Sequence, residues 1–229
     1  MLIARFLTGV AFAVLLPSAL RAEILDNGAA AYNRKDYATA FEILRPLAEH
    51  GAAVAQYDVG AMYEYGNGVA QDYAEAMKWF HRAADQGYAR AQQSLGLMYL
   101  QGVGVAQNDA AAARWIRKAA DQGDAAAQTG LGELYLGGRG VARNDAEAIR
   151  WYRKAADQGD ASAQNRLGAM YVRGQGVARD FALAHMWFSL AAANGMGAAA
   201  KARDRLEAQM TPDQIAEAQR LAREWKPKR

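Results

Sequence analysis

The chain has 229 residues, 52% of them hydrophobic, with 27 Lys and Arg against 24 Asp and Glu and no cysteine. The lack of cysteine excludes disulfides, a lipid-modified cysteine and cysteine-ligated metals, so packing alone must supply stability. The excess positive charge sits at the ends, in Arg5 and Arg21 and in Lys226, Lys228 and Arg229; the remaining 22 basic against 24 acidic residues exclude the net basic surface that a nucleic-acid binder needs.

Residues 1–22 read as an export signal: Arg5, an apolar run from Phe6 to Leu16, a break at Pro17, and Ala22 before the expected cleavage. The alternative is an uncleaved anchor, but that run is far shorter than the ~20 residues a spanning helix needs. The mature chain is therefore expected to begin at Glu23 and to be periplasmic or secreted, with no stable membrane insertion.

Residues 23–51 predict a first helical hairpin. Asp36-Tyr37-Ala38-Thr39-Ala40 aligns with Asp72-Tyr73-Ala74-Glu75-Ala76 and Gly51 with Gly87, but Gly28 stands 12 residues before Ala40 where Gly60 stands 16 before Ala76. This hairpin thus lacks an insertion that the later ones carry.

Residues 52–195 hold one phrase four times. Leu95, Gly96, Tyr99, Gly102, Gly104, Val105, Trp115, Ala119, Ala120 and Gly123 recur 36 positions on, from Leu131 to Gly159, with further copies from Gly60 to Gly87 and from Leu167 to Gly195. A period of this size is the signature of stacked supersecondary units. Within a unit, Ala91, Leu95, Met98 and Tyr99 give one helical apolar stripe, and Ala112, Trp115, Ile116, Ala119 and Ala120 a second. The mid-helix glycines at 60, 96, 132 and 168 cost up to ~1 kcal/mol each, which predicts close approach of the partner helix. The Gly-x-Gly-Val linkers predict turns of positive φ with a valine plug, Asp72, Asn108, Asn144 and Asp180 predict N-caps, and Gly87, Gly123, Gly159 and Gly195 predict helix ends.

This pattern resembles the Sel1-like repeat, a relative of the tetratricopeptide repeat, over residues 52–195, while the first hairpin looks like an ordinary tetratricopeptide unit. The resemblance implies an all-α fold, a right-handed α-solenoid of about six hairpins that serves as a protein-interaction scaffold. Residues 196–229 complete it: Arg203 and Asp204 replace the Leu-Gly pair, and Thr211-Pro212-Asp213-Gln214 opens a final capping helix ahead of the basic tail.

Signs of catalysis are few. His50, His81 and His185 occupy different positions of the repeat, and no mature serine starts Ser-x-x-Lys or sits in Gly-x-Ser-x-Gly, so the chain is read as no enzyme, with no cofactor and no metal. Some cysteine-rich relatives of such repeats have been described as penicillin-binding proteins or weak β-lactamases, but disulfides staple that variant. The tryptophans at 79, 115, 151 and 187 could form a sugar-stacking ladder; their place on the apolar stripe of the second helix instead assigns all four to the core.

The stripe of the first helix opposite the core is the candidate partner-binding face, matched by spacing to the concave groove of tetratricopeptide relatives. It comprises Val54, Tyr57, Ala61, Glu64 and Tyr65; Arg90, Gln93, Leu97, Leu100 and Gln101; Ala126, Thr129, Glu133, Leu136 and Gly137; and Ser162, Asn165, Ala169, Val172 and Arg173. These letters vary while the core letters do not, and several are more apolar than a solvated face requires. The expectation is a bacterial envelope adaptor that holds a protein segment there. The alternatives are a secreted factor engaging a host protein and a penicillin-recognising cell-wall enzyme.

Overall fold

A computed structural model describes residues 17–227. The export signal assigned to residues 1–22 lies outside the described residues as far as residue 16. Among the described residues all regular structure is helical, in twelve helices. The chain divides into two compact units, the first ending at Gln107 and the second starting at Asn108.

The first unit contains α1 (Ser18–Asn33), α2 (Tyr37–Glu49), α3 (Ala53–Tyr65), α4 (Tyr73–Asp85) and α5 (Ala89–Gln101), each packed on the next in sequence. Its core gathers Phe41, Leu44, Leu47, Val59, Met62 and Trp79. The second contains α6 (Asp109–Asp121), α7 (Ala125–Gly137), α8 (Asp145–Asp157), α9 (Ala161–Arg173), α10 (Phe181–Ala193), α11 (Gly197–Glu207) and α12 (Pro212–Glu224). Here α10 is apolar on most of its surface because α9, α11 and α12 all pack on it, and Trp225 meets Trp187 edge-on at 6.3 Å between ring centroids.

The local chemistry matches the residues that dictate it. Asp72, Asn108, Asn144 and Asp180 each accept backbone N–H bonds from the first turn of the helix they open, and Thr211 and Gln214 form a reciprocal capping box on α12. In the linker after α5, Gly102 and Gly104 both take φ +69°, and a Cβ on Gly104 would lie 2.8 Å from the Tyr73 backbone oxygen. Glycine is required there both for the turn and because the linker rests on the first residue of the preceding repeat's second helix.

Gly60, Gly132 and Gly168 have the packing reason expected of the mid-helix glycines. A Cβ on Gly60 would come within 2.8 Å of the Phe80 ring, on Gly132 within 2.6 Å of Tyr152, and on Gly168 within 2.6 Å of Phe188. Gly28 of the first hairpin plays the same part against Leu44. The residue seated on Gly60, Gly132 and Gly168 is in each case the one that follows the tryptophan, and Phe80, Tyr152 and Phe188 are buried.

One core assignment is corrected. Trp79, Trp151 and Trp187 are buried, but Trp115 is only half-buried, although Ile116 beside it is buried as Phe80, Tyr152 and Phe188 are. In α6 the buried stripe runs Ala112, Ile116, Ala119 and Ala120 and also takes in Ala111 and Ala113, which leaves the indole at the edge of the stripe. The Lys118 ammonium covers the Trp115 ring at 4.0 Å, as Lys154 covers Trp151 at 4.1 Å and the Arg82 guanidinium Trp79 at 4.6 Å. Rings buried on one side and capped by a cation on the other offer no open platform for stacking a sugar.

Candidate interaction face

The candidate residues lie on the first helix of each hairpin, α3, α5, α7 and α9, because the Ala-x-x-x-Leu-Gly stripe faces the second helix and turns them outward. In the first unit the face is markedly apolar. Tyr65 is 65% exposed, Leu97 44% and Val54 41%, values that a residue serving only the core would not show. Arg90 and Gln101 flank them in solvent, and Gln93 and Leu100 are half-buried. Tyr57 is less available than its spacing suggests: its ring packs on Phe80 at 5.6 Å and on Tyr88 at 5.3 Å. Burial raises the carboxyl pKa of Glu64, and it pushes that of the neighbouring Asp58 up to about 6 against the opposing pull of Arg90.

In the second unit, polar pairs bridge the face from α7 to α9. Thr129 Oγ1 donates to Asp160 Oδ1 at 3.1 Å, and Glu133 pairs with Arg166 at 2.5 Å. One repeat further on the bridge is gone: Ala169 stands 36 residues after Glu133, and Ala202 stands 36 after Arg166. A cleft of about 480 Å³ opens there between α9 and α11. Asn165, Val172 and Arg173 line it from α9, and Ala198, Ala202 and Arg205 from α11. Leu136 is half-buried on the same side of α7.

The sequence reading ended this face at Arg173 and so missed the share of α11. The signal was present, since Ser162, Ala169 and Arg173 recur at the 36-residue period as Ala198, Arg205 and Gln209. Loss of the Leu-Gly pair to Arg203 and Asp204 hid the register.

The reading also missed a row of buried amides. Gln56, Gln92, Gln128 and Gln164 are buried, and each donates from Nε2 to a carbonyl eight residues upstream, those of Ala48, Ala84, Ala120 and Ala156. The side-chain oxygens of three accept in turn from Gln86, Gln158 and Asn194. These bonds give a second donor to helix-end carbonyls that already accept the backbone N–H of Gly51, Gly87, Gly123 and Gly159, and so tie the end of one hairpin to the start of the next.

Other polar groupings offer less. His185 Nε2 lies 2.5 Å from Glu207 Oε1 and Ser189 Oγ lies 3.4 Å from His185 Nδ1, the contact order of a hydrolase triad. The His185 side chain is nevertheless 3% exposed, so the group works as a strut between α10 and the end of α11. Among the described residues no cluster of three or more His, Asp or Glu is placed to hold a metal ion, and no helix is long and apolar enough to cross a membrane.

The Sel1 repeat model matches residues 53–88, 89–124, 125–160 and 161–196. A Sel1 repeat protein from Oxalobacter formigenes is 32% identical over 88% of this chain and 85% of its own, with a TM-score of 0.76. A protective antigen of uropathogenic Escherichia coli with an SLR fold is 26% identical over 89% of this chain and 60% of its own, with a TM-score of 0.51. An immunity protein from Pseudomonas aeruginosa, 23% identical over 87% of this chain and 79% of its own at a TM-score of 0.54, shares the fold. Among curated proteins none matches significantly.

Proposed function

The chain belongs to the Sel1-repeat family, whose members are generally non-enzymatic protein–protein interaction scaffolds, and from that premise we propose that it is an adaptor of the bacterial cell envelope. In this reading it binds a segment of a partner protein along the outward stripe of the first helices. The observation that carries the reading is the exposure of Val54, Tyr65 and Leu97 on that stripe, because large apolar side chains held in water on one helix face are the usual mark of a docking surface.

Export accords with the first helix. Residues 17–23 are all exposed and burial starts at Ile24, so among the described residues cleavage after Ala22 would remove no buried one. The expected mature protein starts at Glu23 and is released by disrupting the outer membrane rather than by detergent alone; an intact N-terminus in a detergent-dependent fraction would overturn the export proposal.

The binding proposal is tested by capture from envelope extract with the mature chain and with Leu97→Glu/Leu100→Glu. Exposed and half-buried helix positions tolerate glutamate, while central apolar anchors carry most interface energy, so the variant should keep its melting temperature and lose its partner. Equal capture by both proteins would overturn the proposal.

A further inference from the structure

The face changes character where α9 meets α11. Between α7 and α9 the chain supplies its own acid, and Glu133 neutralises Arg166. Between α9 and α11 the equivalent pair has become Ala169 and Ala202, which form an apolar floor with Val172; Arg166, already paired with Glu133, lines the cleft, and Arg173 and Arg205 line it exposed and without such a pair. No carboxylate lines this cleft. The nearby acids are engaged elsewhere: Asp204 binds Arg203, Glu207 binds His185 and Glu133 binds Arg166. Among the described residues Arg173 and Arg205 have no acidic partner. An apolar floor beside two guanidiniums that lack a carboxylate partner calls for a guest that brings both an apolar side chain and negative charge.

We propose that the α9–α11 cleft binds a peptide segment in which an apolar residue is flanked by Asp or Glu. Its side chain fills the space left by the lost Glu–Arg bridge, and its carboxylates pair with Arg173 and Arg205. The proposal rests on the reading of the chain as a peptide-binding module and specifies the chemistry of the partner at one end of the face.

The test is selection of a random 12-residue peptide library, displayed on phage, against the mature protein, with counter-selection on Arg173→Gln/Arg205→Gln. Both arginines are exposed, so this variant should melt as the wild type does, and Arg173→Lys/Arg205→Lys keeps the charge as a control. The expected result is enrichment of peptides with acidic residues beside an apolar one. Synthetic copies should bind at least about tenfold more weakly to the glutamine variant, retain most affinity for the lysine variant, and weaken further as salt rises. Enrichment without acidic bias, or unchanged affinity in the glutamine variant, overturns the inference and leaves the module reading standing. No enrichment at all overturns both.

Discussion

At the residue scale, burial decides which of the repeated letters matter. Trp151 is 1% exposed, so Trp151→Ala should cost ~3–5 kcal/mol in chemical denaturation. Trp115→Ala, on a half-buried ring under Lys118, should cost clearly less; equal losses would refute the distinction drawn between the two. Composition alone could not separate them, because four tryptophans in one register look alike until α6 is seen to bury Ala111 and Ala113 beside its stripe and to leave the indole at the edge. The pH response of Asp58 is a second residue-scale outcome. Its carboxyl keeps its proton to about 6 in the folded chain against 3.8 ordinarily, so the folded state holds the extra proton and stability falls as pH rises through that window. Asp58→Asn should therefore raise the melting temperature at pH 7 and change it little at pH 4. An identical difference between variant and wild type at both pH values would contradict this. The sequence carried no hint of that shift, since it arises from burial, against the pull of Arg90, rather than from any motif.

At the element scale, caps, linker glycines and helix ends were legible because each rests on a local rule: a side-chain oxygen at an N-cap, positive φ at a turn, a missing Cβ where helices touch. The amide row was not legible in the same way. Four glutamines at one register suggest solvated side chains, and only the tertiary structure shows each buried against a carbonyl of the preceding helix. Gln128→Leu removes the bonds to the Ala120 carbonyl and from the Gln158 amide, both of which keep other partners, so it should cost only ~0.5–1.5 kcal/mol, a loss measurable by thermal melt. A neutral or stabilising result would show the row to be dispensable. The part of the face contributed by α11 was likewise hidden, because Arg203 and Asp204 erase the letters that mark the register while the helix itself keeps it.

At the scale of the whole molecule, a repeated apolar phrase specified an all-helical stack, and circular dichroism should report helix far above the ~30–35% of an average domain. The same periodicity could not name a partner, because the outward letters are the ones the fold leaves free. The central claim is that those free letters, on the first helices, are where the partner sits. The most direct measurement places a photo-crosslinking amino acid at Leu97 or at Val172, and as controls at the exposed Lys78 and Arg150 of the second helices, in cells that produce the protein. The account predicts a discrete adduct with one partner from the first-helix positions and none from the controls. Adducts from the second-helix positions with none from Leu97 and Val172 would contradict it.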